Sequence, residues 1–513
     1  ALPYLFQRDV KGPDGRAAWP QFRRVLIIGA GSGNDVARAL QWLPPDAHID
    51  AVEIDPVLYR IGHANHPDDP YDTDRVSVHL TDGRNFLRSA EAGTYDLVIF
   101  ALVDSLVLHS GHANLRLESY LFTRESFRDV ARVLRPDGLC VVYNFFRHGW
   151  LVARLRDGLR DAFECDPVVI VTPSPEEAGK QPLREVRRDT FEPNGFTAFF
   201  AGRSGVIAPL RAAFADGVGY WFPWRTAVPP DTAARFSADP PPNPPPPPPP
   251  GTAPKPFRHR DAAPLPPVWL RLQPASVEES GDDLPPATDD WPFLYVRSPE
   301  IPALTWRGIG LVLGLSVVLW WGLRPRGAGE SGTPDRGLVA RSFFLGAGFM
   351  LVETKSVVQM ALLFGGTWVV NTVVFAAILV MSLAGTLIAG WAKPRRLGAF
   401  YVGLFATLAL GLALPMDTFL GCEQTTQAVL ASALTFAPIA FAGVIFAVNF
   451  DRSSQPDRVF GANVAGALVG GLAENVSVVL GFQYLLCVAV GFYLLSMACG
   501  NRTLPDVTAE KSV

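Results

Sequence analysis

Clustered positive charge is missing from this sequence: 45 Lys and Arg stand against 49 Asp and Glu, for a net charge of −4, with no Lys/Arg-rich cluster. No electrostatic footprint for a nucleic acid partner exists. Cysteine is scarce as well. Cys140, Cys165, Cys422, Cys487 and Cys499 lack the spacing of a metal site or a disulfide framework, which fits a reducing compartment. Residues 1–24 have no apolar core, so no signal peptide is recognisable there. The chain opens on Ala1 rather than Met, as expected of a truncated gene product. What abounds is apolar surface, 49% of 513 residues with a mean hydropathy of +0.18. A chain this long and this apolar is expected to contain membrane segments as well as a soluble domain.

The stretch that organises the rest is Val25-Leu26-Ile27-Ile28-Gly29-Ala30-Gly31-Ser32-Gly33-Asn34-Asp35. Its apolar run reads as a strand buried on both faces. The three alternating glycines let the backbone turn sharply and a ligand approach, and Asn34 and Asp35 open a helix whose free N–H groups face the loop. A second apolar strand ends in Glu53-Ile54-Asp55-Pro56, and a third ends in Thr81-Asp82-Gly83. A carboxylate at the end of the neighbouring strand suits ribose hydroxyls. The third strand end places Asp82 where it would hold an exocyclic amine. Further strands at about 97–102 and 139–145, helices at 34–43, 56–65 and 123–134, and apolar runs at 167–172 and 197–201 predict a mostly parallel α/β sheet of about seven strands. Thr123 reads as an N-cap and Arg135-Pro136-Asp137-Gly138 as a helix stop.

The ordered motifs Gly29-x-Gly31-x-Gly33, Val52-Glu53-Ile54-Asp55-Pro56, Asp82-Gly83 and Tyr95-Asp96-Leu97-Val98-Ile99 resemble those of the spermidine synthase family. The chain is more closely similar to bacterial membrane proteins carrying a spermidine synthase-like domain. The similarity spans about 25–146 and resumes at Thr288-Asp289-Asp290-x-Pro292-Phe293. It implies a Rossmann-like fold of the class I methyltransferase type and S-adenosylmethionine or its decarboxylated form as co-substrate. Gly29, Gly31, Ser32 and Gly33 would cradle the aminoacyl or aminopropyl end, Glu53 the ribose and Asp82 the adenine, with Asp35 and Gly83 beside them. Relatives of this type often carry membrane helices ahead of the nucleotide domain, and a homodimer is a further expectation.

Aminopropyl transfer needs carboxylates to hold a polyamine and accept its proton. Two acids of the family pattern are absent: Ser32 stands where the glycine loop carries Asp, and Ala101 where an Asp-x-x-Asp pair begins, whose second member is Asp104. Ser32 removes a charge that would repel the carboxylate of intact S-adenosylmethionine, so methyl transfer becomes admissible. The following loop holds His109, His112, Arg116, Glu118 and Tyr120. Asp104, Glu118 and Tyr120 are the expected catalytic or substrate-contacting residues, and no metal site is expected, since His109 and His112 lack a third ligand.

The expected organisation is a lead-in over 1–24, the nucleotide domain over 25–205, a proline-rich linker and interface segment over 206–300, an all-α transmembrane bundle over 301–500 and a polar tail over 501–513. Pro240–Pro242 and Pro244–Pro250 form an extended spacer. Seven apolar segments follow, near 304–323, 342–364, 367–391, 398–415, 428–450, 460–481 and 482–499. Gly461-x-x-x-Ala465-Gly466-x-x-x-Gly470-Gly471 suits close helix packing. Arg324, Arg326, Arg336 and Arg341 in one loop, Lys393, Arg395 and Arg396 in another, and Arg452 and Arg458 in a third place those loops in the cytoplasm. The one helix ahead of Arg324 then puts the nucleotide domain outside, where no such co-substrate is found, so either 304–323 does not span or the co-substrate inference fails. The ligand chemistry favours a cytoplasmic domain at a bacterial inner membrane and a miscounted helix. Glu353, Lys355, Gln359, Asn371, Asn463, Glu474 and Asn475 lie within apolar segments and should face each other or a cavity, with Glu474 paired to Lys355.

Three functions fit: a membrane-anchored group transferase acting on a small amine, a methyltransferase acting on a membrane-associated substrate, and a transporter whose nucleotide domain senses co-substrate or polyamine without turnover.

Overall fold

The computed structural model describes residues 2–12, 14–103, 117–172, 185–189, 196–215, 220–224, 268–281, 284–322, 336–365, 368–414 and 424–499. Two compact units divide the chain, Ala1–Ser298 and Pro299–Val513. The proline tract, the loop from Asp104 through Arg116 and the tail 501–513 lie outside the described residues.

In the first unit, strands β1 (Arg24–Ile28), β2 (His48–Glu53), β3 (Val76–Leu80), β4 (Tyr95–Ala101), β5 (Leu134–Asn144), β6 (Val168–Thr172) and β8 (Phe196–Ala201) form one sheet in the order 3-2-1-4-5-8-6. β1 to β5 pair in parallel, and β8 runs antiparallel between β5 and β6. The short strand β7 (Glu185–Val186) pairs with Ser276–Val277 outside that sheet. The chain steps outward from β1 to β3 and then returns to β4, so the strand order reverses between β1 and β4. Ligands of doubly wound sheets bind in the crevice at the carboxyl ends there.

Alternation along β1 shows why the sheet is buried on both faces. Val25 and Ile27 join a cluster with Ile49, Leu97 and Val141, while Leu26 and Ile28 join the opposite cluster with Val98, Phe100 and Val142. Helices α2 (Asn34–Trp42), α3 (Pro56–Asn65), α5 (Arg124–Val133), α6 (Gly149–Phe163) and α7 (Ser204–Ala215) belong to this unit. Their starts follow local chemistry. Asp55 accepts the Val57 amide ahead of Pro56, and Thr123 accepts the Ser126 amide, each closing an orphan N–H of the first turn. One helix, α4 (Gly83–Ser89), went unread because it spans only seven residues and its Asp82 cap resembles a turn.

The lead-in is part of the core. Residues of α1 (Leu2–Asp9) pack inward with Trp19 and Phe22: Phe6 stacks edge-on against Phe200, and the Trp19 indole donates to the Val206 carbonyl at 3.0 Å. Part of the expected linker is core as well, since Leu284, Ala287 and Leu294 are buried against the α5/α6 face.

The second unit is helical. Arg336–Phe364, Val370–Ala392, Thr426–Arg452 and Pro456–Leu480 are long and apolar enough to cross a membrane, while Ala303–Val318, Gly398–Ala413 and Gln483–Cys499 are shorter apolar helices. Gly481, at φ +89°, separates Pro456–Leu480 from Gln483–Cys499. Gly466 and Gly470 lie against the backbone of Phe343 and Ala347, where a Cβ would collide, so the small-residue pattern serves close packing. Arg341 is a correction. It sits inside the helix, 7% exposed, and donates to Asn449 Oδ1 at 3.2 Å, so it is not a loop charge.

Trp19→Ala should cost about 3–5 kcal/mol of stability in the first unit. Denaturant unfolding of the full chain would show this as a lower midpoint, and an unchanged midpoint would remove the lead-in from the core.

Candidate functional site at the carboxyl ends of the strands

The glycine loop is fixed on three sides. The Gly29 and Ala30 amides both donate to the Val52 carbonyl, at 2.9 and 3.0 Å. The Gly31 amide donates to Glu53 Oε2 at 2.7 Å, and the Asp55 amide to Glu53 Oε1 at 2.8 Å. From the other side, the Tyr71 hydroxyl donates to the Gly31 carbonyl at 2.8 Å. Burial first, and then Glu53, Tyr59 and Asp35, push the Tyr71 pKa upward, so it stays a donor. Gly33 has φ +99°, and a Cβ on it would meet Pro70 at 2.6 Å. Gly31 has φ +56° and only the Gly29 carbonyl, 3.9 Å away, near its missing Cβ. That crest is open to a ligand.

Glu53 is 5% exposed. A carboxylate offers about four acceptor positions; the two amides leave room for two hydroxyls. Asp82 caps α4 through Oδ1, accepting the Arg84 and Asn85 amides at 2.8 and 3.2 Å. Gly83 follows, and a Cβ there would strike Ile28 at 2.6 Å, which explains the glycine beneath β1. Asp35 is half-buried at the start of α2 and accepts from the Tyr143 hydroxyl, so one of its bonds is structural. Ser32 is half-buried in the loop, and Asn34 Nδ2 approaches its Oγ at 3.4 Å.

Residues 15–181 match the family model described as the spermine/spermidine synthase domain. The first unit carries a spermine/spermidine synthase domain. Polyamine aminopropyltransferase of Clostridium acetobutylicum is 31% identical over 125 residues, 24% of this chain and 40% of that protein. Spermidine synthase 1 of Hyoscyamus niger is 35% identical over 122 residues, 23% of this chain and 36% of its own length. Putrescine N-methyltransferase 4 of Nicotiana tabacum is 36% identical over 126 residues, covering 23% and 29%. The chain thus spans about two fifths or less of these relatives. Among solved structures, spermidine synthase from Thermotoga maritima aligns at 17% identity and a TM-score of 0.28 over 38% of this chain and 57% of that one.

Several parts of the synthase domain's site had no local signal. Leu102, just past β4, has φ +45°, a conformation that costs a branched residue energy and marks the strand end. The Asn144 side chain donates to the Val103 carbonyl at 3.2 Å, and Val103 packs on Gly29. Asp104, His109, His112 and Arg116 lie outside the described residues; Glu118 falls in the 3-10 helix Leu117–Phe122. Tyr120 is described: its hydroxyl is buried with no hydrogen-bond partner among the described residues. Burial, together with nearby Asp289 and Asp290, pushes its pKa well up. Asp96, although part of the motif series, sits at the other end of the sheet, accepting the Arg23 and Arg24 amides at 2.7 and 2.8 Å.

The second motif block closes over α4. Arg84, 4% exposed, donates to Asp129 and, at 2.9 Å, to Asp289 Oδ2. Asp289 Oδ1 accepts the Thr123 hydroxyl at 2.7 Å, and its amide donates to Glu125 at 2.9 Å. Burial works against the Arg84 charge, but the two aspartates outweigh it and hold its pKa above the ordinary value. Arg154 anchors the same segment, donating to the Leu294, Val296 and Arg297 carbonyls at 2.6–2.8 Å between the Trp150 and Trp291 rings. Asp289 and Asp82 therefore hold the side chain and the backbone of one residue.

In the helical unit the expected Lys355–Glu474 pairing is not the one found. Lys355 donates to Gln359, one turn along its own helix, at 2.6 Å, and Glu474 accepts from Thr354 at 3.3 Å. Glu353 is half-buried on the same helix. Asn463 donates to the Ser342 carbonyl at 3.0 Å, clasping two helices.

Asp289→Ala should destabilise the first unit by about 3–5 kcal/mol, because it strips one partner from a buried guanidinium. Asp289→Asn, which keeps an acceptor for Arg84 and Thr123, should cost less. Equal melting of both variants and wild type would remove this network from the fold.

Proposed function

We propose that the chain is a membrane-anchored, spermidine synthase-like transferase. It binds decarboxylated S-adenosylmethionine or S-adenosylmethionine in the crevice between β1 and β4 and transfers an aminopropyl or related group to a small amine. The observation that carries this is Glu53: a buried carboxylate at the end of β2, pre-aimed by the Gly31 and Asp55 amides with acceptor positions still available. The open crest at Gly31 fits the donor's chain, and Asp82 and Gly83 lie where the base would sit. The co-substrate supplies an electrophilic carbon on a sulfonium. This chain's residues orient the nucleoside and hold the loop; its preorganisation converts binding into alignment. The nucleophile must arrive as a neutral amine, so its proton leaves to a nearby acceptor or to water; among site residues Asp104 is the proposed acceptor, with Glu118 as a substrate contact, whereas the buried Tyr120 hydroxyl is out of a substrate's reach.

Four helices of spanning length support anchoring in a bilayer, and the co-substrate's location supports a cytoplasmic face for the synthase domain. A second reading, methyl transfer from intact S-adenosylmethionine, is favoured by Ser32 and Ala101 in place of two acids, and by the similarity to a putrescine N-methyltransferase.

Calorimetric titration of the full chain with each donor form tests this. Tighter binding of the decarboxylated form supports aminopropyl transfer; tighter binding of the intact form supports methyl transfer; binding of neither defeats both. Glu53→Gln, which cannot accept both amides and two hydroxyls, should weaken binding of the preferred donor about tenfold or more, with thermal unfolding as the check that the loop remains folded.

A further inference from the structure

We propose that Asp35, held by Tyr143, binds the second, non-reacting ammonium of a diamine acceptor. The inference deepens the transferase reading above and rests on it for the fate of the other nitrogen.

The two residues stand beside the positions where acids are absent. Asp35 lies three residues past Ser32, in the first turn of α2, and Tyr143 is the register partner of Ala101 at the carboxyl ends of β4 and β5. One hydrogen bond, from the Tyr143 hydroxyl to the Asp35 carboxylate, joins the two positions. Burial first, and then Asp35, push the Tyr143 pKa up, so the phenol stays a donor. The Tyr4 hydroxyl is buried without a hydrogen-bond partner among the described residues and lies within electrostatic reach of the same carboxylate. Two neutral phenols thus surround one acid, and no Lys, Arg or His among the described residues pairs with it.

An acid in the first turn of a helix suits the helix dipole, a role that asks nothing of the rest of the carboxylate. The surroundings of Asp35 ask for more. It is half-buried and has about four acceptor positions, of which the phenol takes one. Glu53, Asp55 and Asp82, at the neighbouring strand ends, are instead bonded to backbone amides. Beside the acid stands a wall of rings: Tyr143 packs on Phe196 with centroids 5.4 Å apart, and Phe196 on Phe145 at 5.5 Å. Phe145, two positions past Tyr143, is 48% exposed. An open ring near a carboxylate suits methylene groups that end in an ammonium, and ring faces attract that cation as well.

The reacting nitrogen must be neutral, and a carboxylate beside it would hold it protonated. Asp35 therefore suits the far nitrogen, with the methylene chain along the rings between the two. The chemistry selects a diamine over a monoamine.

Calorimetric titration of the purified full chain in detergent micelles with putrescine and with butylamine, each with and without donor, tests this. Wild type should bind putrescine about tenfold more tightly than butylamine. Asp35→Asn should bring putrescine down to the affinity of butylamine, and Tyr143→Phe should weaken putrescine alone about threefold. Should Asp35→Asn not fold, as thermal unfolding would show, Tyr143→Phe decides. Equal affinities in wild type, a putrescine preference kept in full by the folded variants, or a loss in Asp35→Asn of donor binding in place of putrescine binding would overturn the inference. Titration with S-adenosylmethionine and its decarboxylated form separates the two claims. If neither donor binds while Asp35→Asn still abolishes the putrescine preference, the transferase reading fails and the amine site stands; donor binding with an unaffected preference does the reverse.

Discussion

A buried carboxylate that needs donors on both oxygens governs the crevice at the carboxyl ends of the strands. Glu53 lies at the end of β2 with 5% of its surface exposed, and leaving such a charge unbonded would cost several kcal/mol. The Gly31 amide satisfies one oxygen and the Asp55 amide the other. The first bond pins the crest of the glycine loop to the neighbouring strand; the second fixes the turn into α3. Tyr71 then holds the crest from outside through the Gly31 carbonyl. The loop is thus bonded to both neighbours, and its positive-φ glycines are what allow it to be held so closely.

A second constraint works at longer range. Arg84 and Asp289 are 205 positions apart, yet their ion pair closes the α4 end of the site. Because Asp82 takes the Arg84 amide while Asp289 takes its guanidinium, the segment around residue 289 is a structural part of the site. Its anchoring by Arg154, between two tryptophans, explains why a segment beyond a proline tract belongs to the first unit.

How much of this was legible follows from range. The strands and Glu53 were readable because apolar period, glycine spacing and the acid twenty positions on are local patterns. Tyr71, Asn144 and the Arg84–Asp289 pair are contacts across 40 to 205 positions with no local pattern to betray them. Burial of Phe6, Trp19 and Phe22 in the lead-in has a related reason: they are too dispersed to read as a core element, and they become one only when folded onto Phe200 and Val206. In the helical unit, position inside apolar segments identified the buried polar groups, but partner choice went differently. Lys355 is met by Gln359 one helical turn away, a pairing that helix geometry supplies without any other helix. Arg341 was misplaced because the apolar run begins at Ser342, whereas the helix begins at Arg336 and buries the arginine against Asn449.

The absent acid at position 101 has a structural counterpart. Ala101 is 4% exposed and belongs to the core cluster that includes Ile99 and Val141, and its carbonyl packs 3.1 Å from where a Gly29 Cβ would lie. The space at the end of β4 is closed by Val103, which Asn144 holds through its carbonyl. The Ala101 side chain is thus part of the core packing at the end of β4. Under the proposed transfer, proton acceptance would fall to groups farther along the chain or to water, where general-base assistance is weaker than a poised carboxylate gives. An amine that is already neutral needs little such help. On that proposal the alignment of donor and acceptor by Glu53 and the glycine loop would have to provide most of the rate enhancement, and the identity of the donor separates the two transferase readings more cleanly than any base does.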